Sequence, residues 1–191
     1  MITQGASAPV YSGHSINFED APINVNMDPF TFYQASDGIF FTSGGGALAA
    51  SNFDDTEGID GGQSPGGIQL GGGFGITFHF DNDVQELSWQ GWAPGTSSPP
   101  LGGINVLVFN DGNLVASYQG ISPFGGVGDE WFNVLATQGD SFDEITFFNG
   151  AFNSFFAYVD NISYNNTAIP EPTTLGLMAM VGAIAVFRRK R

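Results

Sequence analysis

The chain has 191 residues, with 19 acidic side chains, 4 basic ones, 2 histidines and no cysteine. The four cations are the last four residues, Arg188, Arg189, Lys190 and Arg191, so residues 1–187 carry every acid and no Lys or Arg. Such a surface argues against nucleic acid as a partner, because that affinity comes from Lys and Arg displacing phosphate counterions, and the missing cysteines exclude thiolate zinc sites, redox dithiols, cysteine nucleophiles and disulfides.

Charged residues make up only 12%, but 42% are hydrophobic and 14% aromatic, a composition that can build a core without staples. The organisation expected is one domain over residues 1–166 and a tail over 167–191. In chain order the first strand candidates are Ser15–Phe18 and Gly38–Ser43. The glycines of Gly44–Gly75 suggest long loops rather than sheet, interrupted by a short candidate at Ile68–Leu70. Ile76, Phe78 and Phe80 then alternate with Thr77 and His79, the period of a half-buried strand, and Gln85–Trp92 follows after a polar break. Ile104–Phe109 and Leu114–Gln119 read as a hairpin, because Asn110, Asp111, Gly112 and Asn113 tolerate the positive φ of a tight turn. Trp131–Leu135, the Ile145/Phe147 alternation and Phe155–Tyr164 complete the series. No stretch before residue 170 reads as an amphipathic helix. Many short strands between turn signals predict an all-β fold, an antiparallel, jelly-roll-like β-sandwich followed by a short C-terminal hydrophobic helix.

From Ile169 the composition changes. Pro170, Glu171 and Pro172 precede thirteen residues, Leu175–Phe187, without a polar side chain, and the four cations follow. As a helix this run spans roughly 20 Å, short of the ~30 Å of a bilayer core. The basic end places the terminus on the cytoplasmic side and the acidic body outside. This three-part tail resembles the PEP-CTERM sorting signal of Gram-negative bacteria. The resemblance implies an exosortase as partner, acting near Pro170–Pro172, and the inner membrane as a transient anchor. It also implies delivery to the cell surface or medium, often alongside exopolysaccharide. Export needs a leader, and Met1–Val10 lacks a basic start and an apolar stretch, so an apolar leader is expected upstream of Met1.

Motifs for catalysis are weak. Gly62-Gln63-Ser64-Pro65-Gly66 fits the G-x-S-x-G elbow, but that elbow uses the N–H after the serine, which Pro65 lacks. His14 and His79, the two imidazoles, make neither a triad nor a histidine metal site, and no catalytic residue is assigned. A structural calcium ion suits a chain rich in carboxylates and free of basic partners. Glu19 and Asp20 near the start, with Asp160 and Asn161 near the end, resemble the arrangement in carbohydrate-binding-type jelly rolls whose first and last strands share such an ion. Asp54, Asp55, Glu57 and Asp60, or Asp81, Asn82 and Asp83, are alternatives without the spacing of an EF-hand loop. Trp89 and Trp92 are three apart and face opposite sides of a regular strand, so one can enter the core while the other offers a glycan-stacking ring. The function expected is a non-catalytic, exported surface protein of the exopolysaccharide matrix that binds glycan or calcium. The alternatives are a secreted polysaccharide hydrolase using two carboxylates and a purely structural surface module.

Overall fold

The computed structural model describes residues 1–5, 11, 13–51, 68–92, 103–121, 131–137, 140–149 and 156–166. The predicted C-terminal helix, the Pro170–Pro172 triplet, the basic end, the G-x-S-x-G segment and the Asp54–Asp60 cluster lie outside them. The elements are β1 (Ile2–Gly5), β2 (His14–Ile16), α1 (Gln34–Asp37), β3 (Ile39–Ser43), β4 (Leu48–Ser51) and β5 (Gln69–Gly73). They continue with β6 (Ile76–Trp92), β7 (Gly103–Asn110), β8 (Asn113–Ile121), β9 (Trp131–Leu135), β10 (Phe142–Asn149) and β11 (Phe156–Asn166).

Every strand ladder is antiparallel, and β6 organises them into two layers. Its first half, Ile76–Phe80, pairs with β3 on one side and β10 on the other, and β7 and β8 extend this sheet I. Its second half, Val84–Trp92, pairs with β9 and β11, and sheet II continues through β1 at one end and β2, β5 and β4 at the other. The polar break expected between two strands is thus a change of sheet within one strand. Asp81 and Asn82 are exposed where β6 leaves sheet I, and Asp81 N–H donates to Gly38 O.

The layers meet through rings. Trp89 of sheet II lies 5.4 Å from Phe78 and 5.8 Å from Phe147 of sheet I, and stacks on Phe132 at 5.2 Å. Phe41, Ile76, Phe80, Val106, Val108 and Ile145 add to the same core. Period 2 therefore points one side of each strand inward, as the alternation predicted.

Two expectations change. The Gly44–Gly75 region contributes β4 and β5 to sheet II, because Gly72 has no side chain to displace its neighbours: a Cβ there would lie 2.6 Å from Leu48 Cδ2 and 2.8 Å from Ile76 Cγ1. Phe18, expected at the end of a strand, sits at φ 59° in a turn closed by Ala21 N–H donating to Phe18 O. The β7–β8 hairpin turns through Asp111 and Gly112 at φ 50° and 73°, the paired positive values its residues favour.

Candidate functional site

Of the residues predicted from the two ends of the domain, Asp160 and Asn161 lie on the outer side of sheet II, Glu19 is near enough for its charge to act on Asp160, and Asp20 meets Tyr33. β2 pairs with β11, Ile16 opposite Ile162, so the turn after β2 lies beside the middle of β11. There β11 carries one residue more than β6: Asp160 faces Gln90 and Ser163 faces Ser88. Asn161 absorbs the extra residue at φ 47°, a conformation asparagine tolerates better than most residues.

The bulge holds a buried acid. Asp160 is 4% exposed, and Asn161 N–H donates to its Oδ1 at 2.7 Å. Asn161 Nδ2 donates to Gln90 Oε1 at 2.8 Å and to Asp160 Oδ2 at 3.2 Å, fixing the carboxylate against the strand. Burial pushes the Asp160 carboxyl up to about 7; the Asn161 N–H opposes this and the charge of Glu19 adds to it. Glu19 Oε1 accepts the N–H of Ile68 at 2.8 Å, tying the turn after β2 to the entry of β5.

Tyr33 joins the group from the segment before α1. Its hydroxyl donates to Asp20 Oδ1, and its acidity is suppressed by burial first, then by the Asp20 bond and the fields of Asp20, Asp37 and Asp160. Three acids therefore act on one hydroxyl, and no Lys or Arg exists in residues 1–187 to balance them. Sequence reasoning missed Tyr33 and Gln90. Tyr33 has no motif around it, and Gln90, between Trp89 and Gly91, reads as an ordinary outward strand residue.

The chemistry of this set suits a hard divalent cation: carboxylate and amide oxygens, one acid whose ionisation is suppressed by burial, and no basic counter-charge. The fit is electrostatic rather than that of a finished cage, since among the described residues no three His, Asp or Glu side chains are grouped to hold a metal ion. Asp20 is already engaged by Tyr33.

The alternative acidic trio has structural partners. Asp81 Oδ1 accepts from Gln34 Nε2 at 3.0 Å and Asp83 Oδ2 from Ser141 Oγ at 2.8 Å. His14 stacks on Tyr164 at 4.8 Å with Nδ1 3.2 Å from Asp37 Oδ1, while Ser36 Oγ donates to the other oxygen of Asp37. The serine therefore meets the acid and not the imidazole, the wrong order for a nucleophile–base relay.

The glycan-stacking expectation fails for Trp89. It is 0% exposed, because it supplies the aromatic contact between the two sheets. The Trp92 backbone pairs with Tyr158 at the end of β6, and its side chain lies outside the described residues.

Beyond the sandwich, the family model for the PEP-CTERM protein-sorting motif matches residues 168–191. The chain carries a PEP-CTERM sorting motif. The tail marks an exported protein processed at the membrane and then displayed on the surface or released. Among the described residues no helix is long and apolar enough to cross a membrane. No match is found among curated proteins. Three of the similar solved structures are a lectin domain, a carbohydrate-binding module and a group of such modules, each 12% identical to this chain. The lectin domain of lectinolysin, complexed with Lewis B antigen, gives a TM-score of 0.32 over 88% of this chain and 93% of that one. Carbohydrate-binding modules of the β-sandwich superfamily, described for promiscuous specificity, give 0.40 over 84% of this chain and 64% of theirs. A family 6 carbohydrate-binding module gives 0.35 over 84% of this chain and 100% of its own.

Proposed function

We propose that this is a non-catalytic exported protein, handed by an exosortase from the inner membrane to the cell surface or medium. There it serves in the exopolysaccharide matrix as a glycan-contacting sandwich stabilised by calcium. The sorting motif at residues 168–191 carries this reading. Its order of triplet, short apolar run and four cations suits a protease that works at the outer side of a membrane and leaves the basic end behind. The acidic body supports a destination outside the cell, where divalent cations are the available counter-charge.

Calcium is assigned to the seam between the turn after β2 and the bulge of β11, with Glu19 and Asp160 as charged ligands and Asn161 as an amide oxygen donor. Asp20, held by Tyr33, contributes charge. The ion would offset the cost of burying Asp160 and fasten the start of the sandwich to its last strand.

Cell fractionation with an epitope tag placed immediately before Ile169 tests the assignment. Surface or medium location with a shortened C-terminus, and full-length protein trapped at the inner membrane of a host without exosortase, is the result expected. A full-length soluble product inside the cell overturns it.

A further inference from the structure

We propose that the outer face of sheet I is a binding face for a neutral polysaccharide strand; the proposal rests on the glycan-contacting reading above and places that contact on residues no motif singled out. Antiparallel sheets of this kind normally turn polar residues to solvent. This face departs from that rule. One row across the strands places Phe40, His79, Glu144, Phe109 and Leu114 in register, and all five are partly or fully exposed. The next row brings Thr42, Thr77, Thr146, Leu107 and Ser117 together. A third continues with Phe148, Asn105 and Gln119. The rows alternate rings with hydroxyl and amide groups over about 13 Å along the strands.

The polar groups are preorganised. Thr77 Oγ1 and Thr146 Oγ1 lie 3.1 Å apart, and His79 Nε2 lies 2.9 Å from Thr42 Oγ1 while its Nδ1 is 3.3 Å from Glu144 Oε2. Phe40 stacks on the His79 ring at 4.6 Å, holding both upright on the sheet. At the far end Phe74 is 55% exposed at φ 59°, an unusual conformation for an aromatic residue and one that presents its ring beside the Gly44–Gly46 loop.

Charge selects the occupant. Glu144 is the only acid among the outward positions of these rows, it faces His79, and residues 1–187 contain no Lys or Arg. An anionic polymer is repelled, and an apolar protein partner matches the rings but not the rows of hydroxyl and amide groups between them. A neutral sugar chain offers both C–H faces for the rings and hydroxyls for the polar rows.

Affinity electrophoresis of the full chain in gels carrying hydroxyethyl cellulose, galactomannan or alginate tests this. Retardation by at least one neutral polymer and none by alginate is expected. Phe40→Ala and Phe148→Ala should weaken retardation at least tenfold, and Phe74→Ala and Thr77→Val about threefold, with melting temperatures recorded alongside. Phe74 is a rim residue and Thr77→Val keeps the side-chain shape, so these two separate lost binding from lost folding. Retention by neutral polymers that all four variants preserve places the glycan contact elsewhere and overturns this face alone. No retardation of the wild type by any neutral polymer overturns the face together with the glycan-contacting reading, while the fractionation result would still stand. Retardation by alginate overturns the charge argument.

Discussion

The two outer faces of the sandwich solve opposite problems. Sheet II turns outward Ser88, Gln90, Asn133, Asp160 and Ser163, all polar and all less than a tenth exposed, because the chain before β2, the turn after it and the Tyr33 segment lie close to that side. Sheet I turns outward Phe40, Phe109, Phe148 and Leu107, apolar but left partly in water. Asp160, Gln90 and Ser163 are buried where Asn161 and the chain before β2 meet their hydrogen bonds, Asn133 Oδ1 is buried without such a partner among the described residues, and the rings of sheet I stay accessible where no described segment of the chain covers them. Burial on this protein therefore follows the path of the connections rather than the polarity of the residue.

The largest expected effect lies between the faces. Trp89→Ala should cost about 3–5 kcal/mol in urea unfolding, since the ring touches Phe78, Phe132 and Phe147 and its loss opens a cavity at the junction of the sheets. A loss below ~1 kcal/mol would mean that the sheets are not held together there.

Next comes Asp160. Its folded carboxyl, raised to about 7 from an ordinary 3.8, binds a proton that the unfolded chain has already released, so metal-free stability should fall as pH rises from about 4 through 7. Asp160→Asn should remove that slope and stabilise the metal-free protein at pH 8 by an amount on the order of 4 kcal/mol at most. Calcium should raise the melting temperature of the wild type at pH 8 and leave the variant unmoved. A wild-type melt indifferent to both calcium and chelator removes the ion from the sheet II face.

His79 gives the smallest effect and the opposite sign. Burial lowers its pKa from 6.5, against the pull of Glu144 and Asp143, so the folded state resists a proton that the unfolded chain takes up. Its contribution is complete above 6.5 and is lost as pH falls through the lowered folded value. His79→Gln should change stability at pH 7 by no more than about 0.5 kcal/mol and flatten the acid-side decline. Equal pH profiles for wild type and variant would show that sheet I does not discriminate against the imidazolium.

Much of this was readable in the residues. Trp131–Leu135 is β9 as expected, and the Asn110–Asn113 run closes the β7–β8 hairpin, because strong alternation and positive-φ residues act locally. β1 and β4 were not legible. Ile2–Gly5 and Leu48–Ser51 are four-residue strands without marked alternation, and their state depends on partners distant in sequence, β9 and β5. That Glu19 and Asp160 were considered together came from the resemblance to carbohydrate-binding-type jelly rolls, and in the structure the charge of Glu19 acts on Asp160. Tyr33 and Gln90 could not be found that way, because each acquires its role only from a neighbour supplied by another segment.

What the amino-acid order determined alone is the period-2 alternation, the hairpin turn, the cation-free body and the sorting tail, each a property of neighbouring residues or of composition. Tertiary structure decided that Trp89 fills the core, that Asp160 is buried and that sheet I keeps its rings in water. Those outcomes depend on β6 changing sheets at Asp81–Asp83 and on where the connections cross, and long-range pairing leaves no local trace for a sequence to display.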